Sequence, residues 1–415
     1  MLKYSKLVEN VLSTPNGSKR DEVMAFITHY LQIPNNKCPD YIKLNAVEII
    51  RSFYGALADS LIKNKNEIVW DVPFPKPHFS SFSFIELFAG IGGFRLGLES
   101  IGGRCIFASE VDWMAKNTYH FNFGMVPFGD ISKYTNSSQI VEKHIAEHDI
   151  LTAGFPCQPF SNAGKRMGFA DTRGTLFYHI QKILKKKRPR AFILENVQGL
   201  KTHNEGETLG KIIEILKEKL NYYVIKPFIL NAVDFGLPQN RKRLFIVGFK
   251  YKSAFKNFNI PIGKPTTKKF KNISHHGEVP IKYYLSQGYL DTLKTHKTRE
   301  SSKGNNFGYK IIGNNDYANV LLTGGAGREM NLVYDEINGS ILSPRNRKTT
   351  INNEHLRIMT PREWARLMGF PHKFKFKKAG TSNTQAYKQL GNAVCVPVVE
   401  ALGREVINAL KKQKK

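Results

Sequence analysis

A thiol, a carboxyl and two guanidinium groups are the side chains of this sequence best set out for covalent chemistry. Cys157 stands in Gly154-Phe155-Pro156-Cys157-Gln158-Pro159-Phe160-Ser161, directly after the apolar run Ile150-Leu151-Thr152-Ala153. A lone cysteine is ordinarily a small buried hydrophobe. Here the chain turns at Pro156 into a polar stretch with Ser161, Asn162, Gly164, Lys165 and Gly168, which is loop chemistry rather than core packing. A thiol on a tight turn leaving a buried strand suits a nucleophile. Further on, Ala191-Phe192-Ile193-Leu194 reads as a second short buried strand that delivers Glu195-Asn196 at its end. Open α/β sheets place their chemistry at that edge, so thiol and carboxyl can share one cleft. Arg241 and Arg243 alternate onto one face of Gln239-Asn240-Arg241-Lys242-Arg243, ahead of the strand Leu244-Phe245-Ile246-Val247, and can reach the same cleft.

The elements that must position these groups follow an α/β pattern. From residue 81 strands and helices alternate, beginning with Phe84-Ile85-Glu86-Leu87-Phe88 running into Ala89-Gly90-Ile91-Gly92-Gly93. The next strand, Cys105-Ile106-Phe107-Ala108-Ser109, ends at Glu110, at the spacing where nucleotide-binding folds set a carboxylate on ribose hydroxyls. The full GxGxxG pattern is absent. Turn, spacing and carboxylate together still favour a nucleoside-containing cofactor. Apolar stripes at 176–184 and 209–220 read as helix packing faces. The Lys185-Lys186-Lys187-Arg188 run at the end of the first suits a helix C-terminus as well as it suits phosphate, and is left out of the site.

Composition names the kind of partner. Lys and Arg number 62 against 34 Asp and Glu, a net charge of +28, and such a field favours a polyanion, with nucleic acid the leading partner. Hydrophobic residues at 41% show that a real core exists, so the excess charge lies around it. No apolar stretch approaches the ~20 residues of a membrane span, and the first residues carry no apolar signal core. Four scattered cysteines (38, 105, 157, 395) form no CxxC pair, which points to a reducing cytoplasm and to no metal site.

Four segments are expected. Residues 1–80 read as an N-terminal helical extension and linker, with Val47, Ile50, Tyr54, Leu57 and Leu61 at helical spacing and prolines at 73, 75 and 77. Residues 81–255 form the first part of the catalytic domain. Residues 256–354 lose periodicity and gain basic residues, yet Tyr283, Tyr284, Tyr289, Leu321, Leu322, Leu332 and Val333 supply enough apolar mass for a small recognition lobe. Residues 355–415 return to the catalytic domain, with a helix starting at Thr360-Pro361-Arg362-Glu363.

Taken in order, FIELFAGIGG, GFPCQPFS, ENV, QNRKR, TPREWARLMGFP and QAYKQLGNAVCVP resemble the cytosine-C5 DNA methyltransferases of bacterial type II modification systems, over about residues 84–405. The resemblance implies a Rossmann-like S-adenosylmethionine domain facing an inserted target-recognition domain across a DNA-sized cleft. It makes Cys157 the nucleophile on cytosine C6, Glu195 the acid at N3, and Arg243 with Arg241 the supports of a flipped base. Phe88, Gly90, Gly92 and Gly93 would lie near the methionine part of S-adenosyl-L-methionine, Glu110 on ribose, Asp130 at adenine, and Asn392-Ala393 near the methionine carboxylate. Val111 stands where some members have a tryptophan, and Ala393 where serine is frequent. Ser161 and Lys165 belong to a loop that would close on double-stranded DNA, and Asn306 and Arg328 lie in the stretches best suited to reading base edges. The implied enzyme is a DNA (cytosine-5-)-methyltransferase acting as a monomer, with a cognate restriction endonuclease working independently. The rivals are a tRNA cytosine-C5 methyltransferase, which an approximately hundred-residue lobe disfavours, and a DNA-binding regulator without catalysis, which an intact Cys157, Glu195 and Arg243 disfavour.

Overall fold

The computed structural model describes residues 2–12, 18–155, 176–275, 277, 279–304, 308–322, 331–335, 351–376 and 380–412. In chain order the N-terminal part gives α1 (Tyr4–Leu12), α2 (Ser18–Gln32), α3 (Asp40–Tyr54) and α4 (Ala58–Lys63). The alternating part gives β1 (Phe82–Leu87), α5 (Gly93–Glu99), β2 (Gly103–Ser109), α6 (Trp113–Phe123), α7 (Ser138–His144), β3 (Ile150–Gly154), α8 (Leu176–Lys187), β4 (Ala191–Val197) and α9 (Glu207–Glu214). It continues with β5 (Tyr223–Val224), β6 (Phe228–Asn231), β7 (Lys242–Phe249) and α10 (Lys252–Asn257). The lobe and return segment contain α11 (Gln287–Ser302), β8 (Lys310–Ile312), β9 (Asn331–Tyr334), β10 (Leu356–Ile358), α12 (Pro361–Leu367), α13 (Asn383–Asn392) and α14 (Val396–Lys411).

Among the described residues seven strands form the main sheet, in the order β2-β1-β3-β4-β7-β5 with β6 also on β7. The first four are parallel, and β7 runs antiparallel to β4. Their side chains alternate between two cores, as a strand covered on both faces requires. Phe84, Ile150, Ile193, Phe245 and Val247 join the core that holds residues of α5 and α14. Ile85, Leu87, Leu151, Phe192, Leu194 and Ile246 join the opposite core.

That second core contains the N-terminal helices. Leu7, Ala25, Ile27, Leu31, Ile42 and Ile50 are buried in one cluster with Ile85, Phe107 and Phe128, so the extension is a layer of the fold. It also closes the sheet edge at β2, whose outer backbone groups need partners. The Ala108 amide donates to His29 Nε2 at 3.1 Å, which obliges Nδ1 to carry the proton it donates to the Ala25 carbonyl at 2.8 Å. The Thr28 hydroxyl accepts from the Val126 amide. Gln32 receives Arg95 Nη2 at 2.8 Å and donates to the Phe123 carbonyl, tying α2 to α5 and α6.

This packing has an acid-stability consequence. Burial pushes the His29 pKa down to about 3 and those of His120 and His148 to about 4. The three rings stay neutral in the fold but titrate near 6.5 once unfolded. Below that value the unfolded chain binds protons that the folded chain refuses, so their stability contribution is complete above pH ~6.5 and drains away towards pH ~4. The melting temperature is expected to fall steeply across that interval and less steeply in His29→Gln. Parallel profiles for the two proteins would contradict this account.

The lobe is small and folded. Leu285, Leu290, Leu293, Tyr309 and Leu332 pack with Leu356 between α11 and the three-stranded sheet β10-β9-β8, so this cluster runs past the expected bound at 354 and takes β10 from the segment read as the return to the catalytic domain. Behind it α12 starts with the expected capping box of Thr360 and Glu363, and the same Glu363 carboxylate takes both terminal nitrogens of buried Arg357 at 2.9 Å. The basic run after α8 ends the helix as a packed element: Lys187 is buried and pairs with Glu142 and Glu147. No helix among the described residues is long and apolar enough to cross a membrane.

Candidate active site

The strand ends bring the chemistry together. β3 and β4 are neighbours in a register that sets Gly154 opposite Glu195. The chain leaving β3 is held there, because the Asn196 side-chain amide donates to the Phe155 carbonyl at 2.8 Å while its oxygen accepts from the Val197 amide. Phe155 is the last described residue before Cys157; Cys157, Ser161 and Lys165 lie outside the described residues, as do Asn306 and Arg328.

Glu195 sits almost wholly buried at the sheet edge, with Arg243 Nε 3.2 Å from Oε1. Burial raises its carboxyl above the usual range, and the positive charges of Arg243 and Arg241 oppose that rise without cancelling it. A carboxyl in this setting can hold a proton and donate it to a nearby ring nitrogen.

Arg241 does different work. Its guanidinium is buried, and its terminal nitrogens donate to the carbonyls of Gly391 and Ala393 at 2.9 Å and of Leu321 at 3.3 Å. Burial pulls its pKa down to about 10, which still leaves it charged at neutral pH. The residue therefore joins β7 to the lobe and to the end of α13. Gln239, also buried, donates to the Leu367 carbonyl and accepts from the Leu321 amide, so the two alternating side chains share the Leu321 segment and tie it to the ends of α12 and α13 respectively. Arg241→Met leaves three carbonyls without their donor and is expected to cost about 3 kcal/mol or more of folding stability. Chemical denaturation measures it, and an unchanged midpoint would show that the carbonyls find other partners.

Beside Glu195 opens a cavity of about 630 Å³, with Phe88, Gly90, Glu110, Gly154, Arg243 and Asn392 among its walls. Glu110 is oriented by two backbone amides, Gly90 to Oε2 and Asp112 to Oε1, each at 2.8 Å. Two further lone-pair positions remain on the carboxylate for hydroxyl donors, which fits the ribose of a nucleoside. Phe88 adopts the left-handed region with φ 54° at the mouth of β1, a strain of the kind that functional turns carry. Not every expected cofactor residue reaches this space. Gly92 and Gly93 shape the turn from beneath: a Cβ on Gly92 would sit 2.3 Å from the Phe123 ring, and one on Gly93 2.7 Å from the Val394 side chain. Ala393 is buried and contributes its carbonyl to Arg241. Asp130 lines a neighbouring cavity that shares Val111 with the first.

Sequence reasoning passed over two residues that the geometry singles out. Lys388 of α13 reaches across the cavity mouth to Asp112 at 2.7 Å, which spacing alone could not reveal because the two lie far apart in the chain. Asn196 was within reach, since it follows Glu195 directly and ends a strand where an amide has orphan carbonyls to serve. Among the described residues no cluster of His, Cys, Asp and Glu is arranged to hold a metal ion.

A Rossmann-like sheet whose parallel strands meet an antiparallel β7, with a ribose-ready carboxylate after the second strand and a buried carboxyl near the end of the fourth, suits an enzyme with a nucleoside cofactor. The description "C-5 cytosine-specific DNA methylase" matches residues 82–408, and the chain belongs to that family. It is 49% identical over 79% of its length to the type II methyltransferase M.HpaII of Haemophilus parainfluenzae, covering 90% of that protein. It is 42% identical to M1.ScrFI of Lactococcus lactis subsp. cremoris, over 83% of this chain and 82% of that one. Solved structures share the fold: the Entamoeba histolytica methyltransferase EhMeth superposes with a TM-score of 0.62 at 22% identity over 80% of this chain and 99% of that one, and the S. pombe Dnmt2 methyltransferase with 0.59 at 21% over 79% and 99%. The protein is a type II DNA cytosine-5-methyltransferase with S-adenosyl-L-methionine as methyl donor.

Proposed function

We propose that this chain methylates one cytosine within a short duplex DNA sequence through a covalent adduct at Cys157, with Glu195 as the acid that makes the attack possible. The observation that carries the reading is the register of β3 and β4, which sets Gly154 and Phe155, the described residues that lead to Cys157 in the chain, beside the buried Glu195–Arg243 pair at one cavity.

The chemistry follows from charge. Attack of the Cys157 thiolate on C6 forms an S–C bond and drives the ring electrons towards N3, where the Glu195 carboxyl supplies a proton or a short hydrogen bond. C5 becomes electron-rich and would take the methyl group, the electron pair of the broken carbon–sulfur bond staying on the donor as a neutral thioether. Loss of the C5 proton then restores the double bond and expels the thiolate. S-adenosylmethionine supplies an electrophilic methyl group held by a positively charged sulfur. Phe88, Gly90, Glu110 and Asn392 would hold it, with Glu110 on the ribose hydroxyls and Asp130 towards the adenine. Arg243 keeps Glu195 aimed and lines the space for the base, and Arg241 fixes the frame around Asn392. Because C5 and C6 are shielded in a stacked duplex, the cytosine must be flipped out at a cost of a few kcal/mol. The strongly basic chain offsets that cost through phosphate contacts.

The lobe at 256–354 is the reader of the target sequence in this account, with Asn306 and Arg328 in its base-facing stretches and Ser161 and Lys165 on the loop after Cys157. The protein works as a monomer in the cytoplasm, and its methylation protects host DNA from an independently acting endonuclease. The test is a duplex carrying 5-fluorocytosine, which has no C5 proton to lose after methyl transfer. The protein is expected to form a cofactor-dependent adduct with that duplex that survives denaturation. An adduct on tRNA alone would overturn the choice of DNA.

A further inference from the structure

The second cavity, about 700 Å³, is built by two parts of the chain that the family match separates. One wall is Val111, Trp113, Gly129, Asp130 and Lys133, from the ends of β2 and the segment that follows α6. The other is the first turn of α2, with Lys19, Arg20, Asp21 and Glu22, which lies ahead of the family region. Val111 belongs to both cavities, so this space continues from the one that holds Glu110. Val111 and Trp113 are 74% and 63% exposed, an uncovered apolar floor beside the carboxylate of Asp130. A planar, weakly polar ring with an exocyclic amino group suits that combination, because its faces cover the apolar groups while its edge donates to a carboxylate.

The opposite wall is fixed in place. Lys116 of α6, itself buried, pairs with Asp21 at 2.9 Å. Further along α2, the bonds of His29 to Ala108, Thr28 to Val126 and Gln32 to Arg95 tie the helix to β2 and its neighbours. The first turn of α2 is therefore a rigid boundary of the cavity.

We infer that the N-terminal extension completes the cofactor site: the first turn of α2, through Arg20 and Glu22, closes the adenine end of the space that begins at Glu110. This rests on the reading above that Asp130 faces the adenine. It gives residues 1–80 a role in binding a purine nucleoside, in addition to covering the sheet.

The test uses the full chain, since removing the extension would strip the core beneath it. Calorimetric titration with S-adenosylhomocysteine compares wild type, the double variant Arg20→Ala/Glu22→Ala and, separately, Asp130→Ala, with melting curves confirming that each is folded. The double variant is expected to bind the nucleoside about fivefold more weakly, the loss of roughly one good polar contact, while its affinity for duplex DNA without cofactor is unchanged. Weakening in Asp130→Ala but not in the double variant would overturn the role of α2 and leave the adenine reading standing. No weakening in either variant would overturn both.

Discussion

Cys157→Ala is expected to lower the methylation rate by about four orders of magnitude or more, because without the thiolate no bond to C6 forms and C5 never becomes nucleophilic. Duplex binding should survive with little change. Affinity for DNA rests mostly on phosphate contacts from a chain of net charge +28, and a single small uncharged side chain adds little to that. Filter binding at fixed salt beside a methyl-transfer assay separates the two properties. Measurable turnover in the variant would remove covalent catalysis from the account. Loss of DNA binding along with turnover would recast Cys157 as a residue needed for binding or folding.

Glu195→Gln is expected to cost about 10²–10⁴ in turnover, the usual contribution of a positioned acid. The amide preserves size and can still donate a hydrogen bond, but it cannot give up a proton to N3. The pH profile distinguishes this from a loss of packing. Burial raises the Glu195 pKa, with the arginines opposing, so the active protonated form persists above the ordinary carboxylate range and is lost as pH rises through the raised value. The wild-type rate should therefore carry an alkaline limb that the glutamine variant lacks, after both are measured at saturating cofactor. An identical limb in both proteins would assign it to another group. The partner side chain adds a check: Arg243→Ala removes the nearest opposing charge, at 3.2 Å, and should move the limb to higher pH.

Much of this site was legible in the residues. The apolar runs at 84–87, 105–109, 150–153 and 191–194 lie in strands of the central sheet, and Glu110 and Glu195 stand at the edge formed by the strand ends. A strand covered on both faces is buried at nearly every position and so reads as a continuous apolar run, which is why those segments declared themselves. The helix after Thr360 was equally plain, since capping residue, proline and glutamate fall in adjacent positions. What stayed hidden depends on contacts between distant segments. Nothing local tells that α2 lies along the β2 edge, because His29, Thr28 and Gln32 look like ordinary polar positions of a surface helix until their partners at 108, 126 and 95 are known. The same holds for Arg241, whose charge and spacing from Arg243 suggested a shared catalytic face. Both arginines do line the cavity with Glu195; what the spacing did not tell is that the Arg241 guanidinium is held by three carbonyls while Arg243 pairs with the Glu195 carboxyl. The glycines of the first turn divide in a similar way. Gly90 faces the open cavity, whereas Gly92 at φ 85° is required by the Phe123 ring beneath it.

The most direct test of the central claim is to express the chain in a host free of cytosine methylation and map 5-methylcytosine across the host DNA by conversion sequencing. The account predicts near-complete modification of one cytosine within a single short sequence context, and none when Cys157 is alanine. A host genome left unmodified by the folded wild-type protein would contradict it.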